Sequence, residues 1–267
     1  MEREDTTKNL ISKEKILLLH SKTNKFMKKV LFASLFMAFL AVSCKKSSTV
    51  TPIGSSSFMS FTAGSSWNYK TTDSTGETPY TLTSTNIDST INGRSYHIFT
   101  YQDANGSNSE YYSNSGSEYY QFTQLAAQLD PFEIKYLVDN VNTGTSWTQP
   151  FATTQVIQTY TVALNATIKN TITEKGNSIT VNGTTFNNVI KVTTEITNPS
   201  VTSNIPLVTL TVQPITQNIV AYYAPKYGLV KRIFQLKVDV ASSLPIVPTT
   251  NVVNNNSTTE LISSNIP

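Results

Sequence analysis

The chain has 267 residues and a formal net charge of +3, yet residues 47–267 carry ten Lys/Arg against thirteen Asp/Glu, so the positive excess belongs to the first 46 residues. With no basic patch left to neutralise phosphates, the composition argues against nucleic-acid binding. One cysteine and two histidines, His20 and His97, leave no zinc ligand set and no Cys–His pair; with His97 alone in its strand, Ser–His chemistry is excluded too.

Residues 1–26 fit neither a signal nor a domain. They read as a mis-assigned upstream extension, with translation starting at Met27 before Lys28 and Lys29; an unusually long n-region is the alternative. From Val30 to Val42 runs an apolar stretch too short for a spanning helix, which needs ~20 residues. Residues 27–43 therefore read as an export signal, and a plain secretory signal is the competing possibility. Ala41-Val42-Ser43-Cys44 resembles the lipobox of bacterial lipoproteins. That resemblance implies cleavage before Cys44 and acyl chains on it, each buried methylene contributing ~0.8 kcal/mol of membrane anchoring. Lys45 and Lys46 follow without an acidic residue, which by resemblance to sorting rules points to an outer-membrane anchor facing the periplasm. Residues 44–57, rich in Ser and Thr with Pro52 and Gly54, suit a flexible tether.

Residues 58–267 read as an all-β domain: an antiparallel meander forming a curved sheet or partly open barrel, in two weakly similar halves, 58–140 and 141–240. Val156, Tyr160, Val162, Leu164, Ala166 and Ile168 share one parity, with Thr and Asn between them, and a period of two predicts a long strand with one wet face. Phe186, Ile190, Val192 and Ile196 repeat this, as do Val208, Leu210 and Val212. Val230, Phe234, Leu236 and Val238 follow, with Lys231, Gln235 and Lys237 opposite. Asn92-Gly93 and Asn182-Gly183 are hairpin signals, because both residues tolerate positive φ. Turns are also expected at Asn105-Gly106, Gly116, Gly176-Asn177 and Pro225 to Gly228. Phe122 to Leu129 is predicted to hold one helical turn, Asn251 to Thr259 a disordered loop, and Glu260 to Ile262 a short last strand.

The two tryptophans sit in one short context, Gly64-Ser-Ser-Trp67 and Gly144-Thr-Ser-Trp147. Each is followed by an Asn-Gly hairpin, an aromatic strand and a double Tyr. Such duplication suits a structural unit used twice; stacking platforms for sugar rings are the alternative. Three double-Tyr pairs, Tyr111-Tyr112, Tyr119-Tyr120 and Tyr222-Tyr223, should each put one ring on either face of a sheet. Trp67, Trp147, Tyr112, Tyr120 and Tyr223 are therefore the candidate ligand-face aromatics.

The motifs Gly64-x-x-Trp67-x-Tyr69, Gly144-x-x-Trp147, Val181-Asn182-Gly183 and Tyr222-Tyr223-Ala224-x-x-x-Gly228-Leu229-Val230-Lys231 resemble a broad set of β-rich outer-membrane lipoproteins of Bacteroidetes-type bacteria. The resemblance covers most of residues 58–240 and implies a cell-envelope location, with no catalytic residues to carry over. A looser similarity is to curved half-barrel lipid carriers of the periplasm. Asp73-Ser74-Thr75 and Asp88-Ser89-Thr90 resemble the O-glycosylation sequon of the same bacterial group.

Three functions are open on this reading. One is a non-catalytic lipid-anchored envelope protein binding a protein partner or polysaccharide; another is a carrier of a lipid or other apolar ligand. The third is a carboxylate-dependent hydrolase using Asp130 and Glu133, which would need both acids in one cleft. No catalytic residue, metal or cofactor is assigned, and the membrane is reached through the lipid on Cys44.

Overall fold

A computed structural model describes residues 58–124, 129–157, 160–243 and 250–267. Cys44, the leader and the tether lie outside these residues, as do 125–128, where the helical turn was expected.

Local chemistry sets the strands. At Asn92-Gly93 the φ angles are 51° and 82°, and at Asn182-Gly183 they are 48° and 78°. Positive φ at both central residues matches the right-handed twist of the strands they join. The described elements are β1 (Ser66–Asp73), β2 (Gly76–Ile91), β3 (Arg94–Asp103), β4 (Gly106–Ser115), β5 (Glu118–Thr123), β6 (Phe132–Val138) and β7 (Ser146–Ile157). They continue with β8 (Tyr160–Val181), β9 (Thr184–Ser203), β10 (Leu210–Val212), β11 (Thr216–Ala224), β12 (Gly228–Ser242) and β13 (Thr250–Asn265). Every pairing is antiparallel.

The sheet runs β6-β5-β4-β3-β2-β1-β13-β12-β11-β9-β8-β7, with the short β10 added beside β12, and it is nearly closed into a barrel. Its two edges, β6 and β7, are consecutive in the chain and are joined by side chains. Lys135 N–H donates to Gln149 Oε1 (2.9 Å), and Gln149 Nε2 donates to the Glu133 carbonyl (2.6 Å). Trp147 Nε1 and Asn170 Nδ2 both donate to the Lys135 carbonyl, at 2.7 and 3.2 Å. Edge groups that would template a foreign strand are thereby satisfied.

Alternation puts one face of each strand inside. On β8, Ile168, Asn170 and Ile172 are buried, and across the ladder they meet Gln149 and Trp147 on β7 and Ile196, Thr194 and Val192 on β9. Phe58, Met59 and Phe61, just before β1, close the end where β1 begins. Phe58 meets Tyr119 edge-on, and Phe61 meets Phe99 at 5.8 Å. Core clusters around Trp67, Tyr69 and Phe99 and around Tyr119, Ile172 and Ile190 fill that end. A third cluster, with Phe151, Ile219 and Val253, lies elsewhere in the sheet.

Three expectations are corrected. The run from Val156 to Ile168 is not one long strand: Val156 lies in β7, which ends at Ile157, while Tyr160 opens β8, and the two strands pair with each other up to Ile157 and Tyr160. Asn251 to Thr259 belongs to β13, which runs to Asn265 between β1 and β12 and so bonds on both sides. Gly176-Asn177 is not a turn: Gly176, at φ 86°, sits where the β8–β9 register slips, inside the long β8.

Candidate functional site

The interior wall is not uniformly apolar. In β12 the alternating inward positions read Val230, Arg232, Phe234 and Leu236, and in β4 they read Asn108, Glu110 and Tyr112. The strand register therefore carries a cation and a carboxyl into the barrel.

These groups flank two cavities. The larger, ≈ 180 Å³, has an apolar wall that includes Ile168, Ile196, Ile219 and Phe234 and polar groups from Asn170 and Ser257. The smaller, ≈ 60 Å³, is lined by Tyr69, Tyr80, Glu110 and Tyr112. Gln121, Tyr136, Tyr223 and Arg232 border both. The β4–β5 ladder ends at Tyr111–Phe122, and beyond it lies an open cleft of ≈ 380 Å³ lined by Tyr101, Asn108, Glu110, Gln121 and Thr123, which shares Gln121 with both cavities. The antiparallel order places this cleft toward the barrel end opposite Phe58.

Glu110 accepts a hydrogen bond from the Tyr112 hydroxyl (2.6 Å), whose oxygen also accepts from Gln121 Nε2 (3.0 Å). Burial pushes the Glu110 carboxyl above its usual range, with the Tyr112 bond and the Arg232 charge pulling back. Burial likewise raises the phenols of Tyr69, Tyr112, Tyr136 and Tyr223. They are neutral hydrogen-bonding groups at any physiological pH. Tyr69, Tyr80 and Tyr101 stack in a ladder across β1, β2 and β3, with centroids 5.2 and 4.7 Å apart.

Arg232 differs from every other charge on the wall. Its Nε is buried without a hydrogen-bond partner. Its guanidinium makes no ion pair among the described residues and lies 5.9 Å from the Phe234 ring. A buried N–H without an acceptor is costly, which marks the position as one shaped for something other than stability.

The five candidate aromatics do not share a face. Trp67 is 1% exposed and packs on Phe99 at 5.8 Å, so it offers no platform. Trp147 is tied to the β6 seam by its indole N–H. Both belong to one turn used twice. Gly64 and Gly144 have φ of 85° and 89°. Gly64 N–H donates to Ser84 O and Ser84 N–H to Ser65 O, as Gly144 N–H donates to Ile172 O and Ile172 N–H to Thr145 O. Tyr112 and Tyr223 line the interior. Tyr120 lies on the opposite side of the sheet beneath the Arg94 guanidinium (3.5 Å), its hydroxyl on Glu118. Covered by Arg94, it is buried, contrary to an exposed ligand ring.

One constellation was wrongly excluded, since a single histidine is enough to build it. His97 Nδ1 lies 2.8 Å from Asp88 Oδ1, and its Nε2 lies 3.0 Å from Ser84 Oγ, the connectivity of a Ser-His-Asp triad. The chemistry does not follow. The Thr85 carbonyl also faces Nε2, at 2.8 Å and closer than Ser84 Oγ, so that nitrogen is not reserved for the Ser84 hydroxyl as a general base must be. Ser84 is buried, and the β2–β3 register slips between Ser84 and Asp88. His97 therefore clamps a bulge, with Phe61 and Phe99 against its ring.

Asp130 and Glu133 line neither interior cavity. Glu133 is bound by Arg94 Nε (2.6 Å) and the Tyr96 hydroxyl, and Asp130 accepts from Thr153. Asp73-Ser74-Thr75 forms the exposed β1–β2 turn, in which Asp73 Oδ1 accepts from Thr75 N–H (2.7 Å). Among the described residues no group of three His, Cys, Asp or Glu is placed to hold a metal ion.

Sequence reading missed Arg232, Glu110, Tyr136 and Gln121. The signal for Arg232 was present: a charge in the apolar parity of Val230, Phe234, Leu236 and Val238. Tyr136 gave none, because it is the extra residue of a β6 bulge opposite Tyr119 and Tyr120, and a bulge is a pairing property.

No family model matches the chain, and no curated protein matches it. Among solved structures it is similar to one from Parabacteroides distasonis ATCC 8503, provisionally described as a lipoprotein, with 15% identity and a TM-score of 0.44 over 78% of this chain and 99% of that one.

Proposed function

We propose that this chain is a non-catalytic, lipid-anchored cell-envelope protein that takes a small amphiphilic molecule into its barrel. The observation that carries the binding role is the interior cavity, with polar groups on an apolar wall and an open cleft beside it where β4 and β5 part. A cavity of about 150 Å³ admits a benzene-sized molecule, so ≈ 180 Å³ suits one ring or a short chain. It does not suit a whole phospholipid. The candidate aromatics supply no outer platform for a polysaccharide, which moves the binding reading from the outer surface to the interior.

The leader and Cys44 support anchoring to the envelope, and Lys45-Lys46 support an outer-membrane site with the barrel in the periplasm. Native mass spectrometry of the protein purified from an exporting bacterium tests the binding role. The expected result is a mass excess that organic extraction removes and that Ala221→Trp, on the cavity wall, abolishes. A bare mass that stays bare after incubation with small amphiphiles counts against it.

A further inference from the structure

We infer that Arg232 is the anchor for a carboxylate on the bound molecule, and that the ligand class is a small monocarboxylic acid with an apolar ring or short chain. This rests on the binding role just proposed and adds the chemistry of the head. Arg232 borders both cavities, and its buried Nε has no acceptor. A planar guanidinium fork is matched by a carboxylate, which supplies two acceptors in one plane. Tyr223, whose hydroxyl bonds to no described residue, lines the same space and supplies a second donor. Around them Ile168, Ile196, Ile219 and Phe234 supply the apolar wall for the body of the ligand.

Glu110 borders the smaller cavity and the cleft. Its carboxyl already holds Tyr112, and in its ionised form it disfavours a second negative charge on the ligand. That selects a singly charged head over a phosphate dianion.

The test uses two probes of one size, 4-fluorobenzoate and 4-fluorobenzyl alcohol, titrated against the purified full chain and followed by ¹⁹F NMR. The expected result is benzoate binding about tenfold or more tighter than the alcohol. Arg232→Met should abolish that preference while leaving alcohol binding in place. Arg232→Lys should keep part of it, and 4-fluorophenyl phosphate should bind more weakly than the benzoate. Equal binding of both probes to the wild type, or a preference that survives Arg232→Met, overturns the anchor and leaves the cavity role standing. Binding of neither probe overturns both. Because no described residue accepts from Arg232 Nε or forms an ion pair with the guanidinium, Arg232→Met should unfold at an unchanged or higher temperature; a marked fall would assign Arg232 to stability and also overturn the anchor.

Discussion

Gln149 on β7 and Lys135 on β6 are paired as if the Gln149 side chain were backbone. The Lys135 amide donates to Gln149 Oε1, while Gln149 Nε2 returns a bond to the carbonyl of Glu133. Gln217 repeats the device, accepting from Ile196 N–H (2.6 Å) and donating to Ile196 O (3.1 Å), just beyond the last β9–β11 ladder pair. A primary amide presents the same donor and acceptor as a peptide group, so it extends a ladder where two strands diverge too far for direct pairing.

Gln149→Ala leaves an amide and a carbonyl without partners at the seam and should cost about 2 kcal/mol or more. Urea unfolding measures the loss. Hydrogen exchange should show the Lys135 amide exchanging faster, while Ile172 on β8 is unchanged.

Gly64→Ala and Gly144→Ala should destabilise by similar amounts, about 1–2 kcal/mol each. No atom lies within 4 Å of a Cβ built at either glycine, so the cost is the positive φ alone. Unequal losses in thermal unfolding would mean that the two turns are not energetically equivalent.

Glu110→Gln tests the interior carboxyl. Burial raises its pKa in the folded protein, so the stability it contributes is fully present below the unfolded-chain value and is lost as pH rises through the folded one. The variant should therefore gain on the wild type as pH climbs from 4 to 8. Each kcal/mol appears as about 2–4 °C in melting temperature for a domain of this size. A difference that does not vary with pH would contradict the shift.

His97→Phe keeps the ring against Phe61 and Phe99 but removes the bonds to Asp88, Ser84 and Thr85. It should cost about 1–3 kcal/mol, read by denaturant melts. Ester-hydrolysis assays should find no activity that Ser84→Ala removes.

Cys44→Ala should abolish incorporation of a labelled fatty acid and release the protein from the membrane fraction. Retention of label would place the acyl chain elsewhere.

What the sequence determined by itself is local. The period-two parity of β8 and β12, the Asn-Gly hairpins and the repeated Gly-x-Ser-Trp turn depend on neighbouring residues, and the pairing keeps all three. The candidate site was legible only as an anomaly, Arg232 in an apolar register. Tertiary structure alone decided the rest. In β13, Asn255 and Ser257 face the cavity while Asn254 and Asn256 face outward. Polar residues on both faces erase the contrast that periodicity needs, so a central strand read as a loop. Ser84, Asp88 and His97 meet because β2 bulges against β3, and Arg232, Glu110 and Tyr136 share one space because β12, β4 and β6 curve around it. Sequence patterns report which side of a strand avoids water. Whether the avoided side encloses a packed core or a polar chamber is set by how the sheet closes.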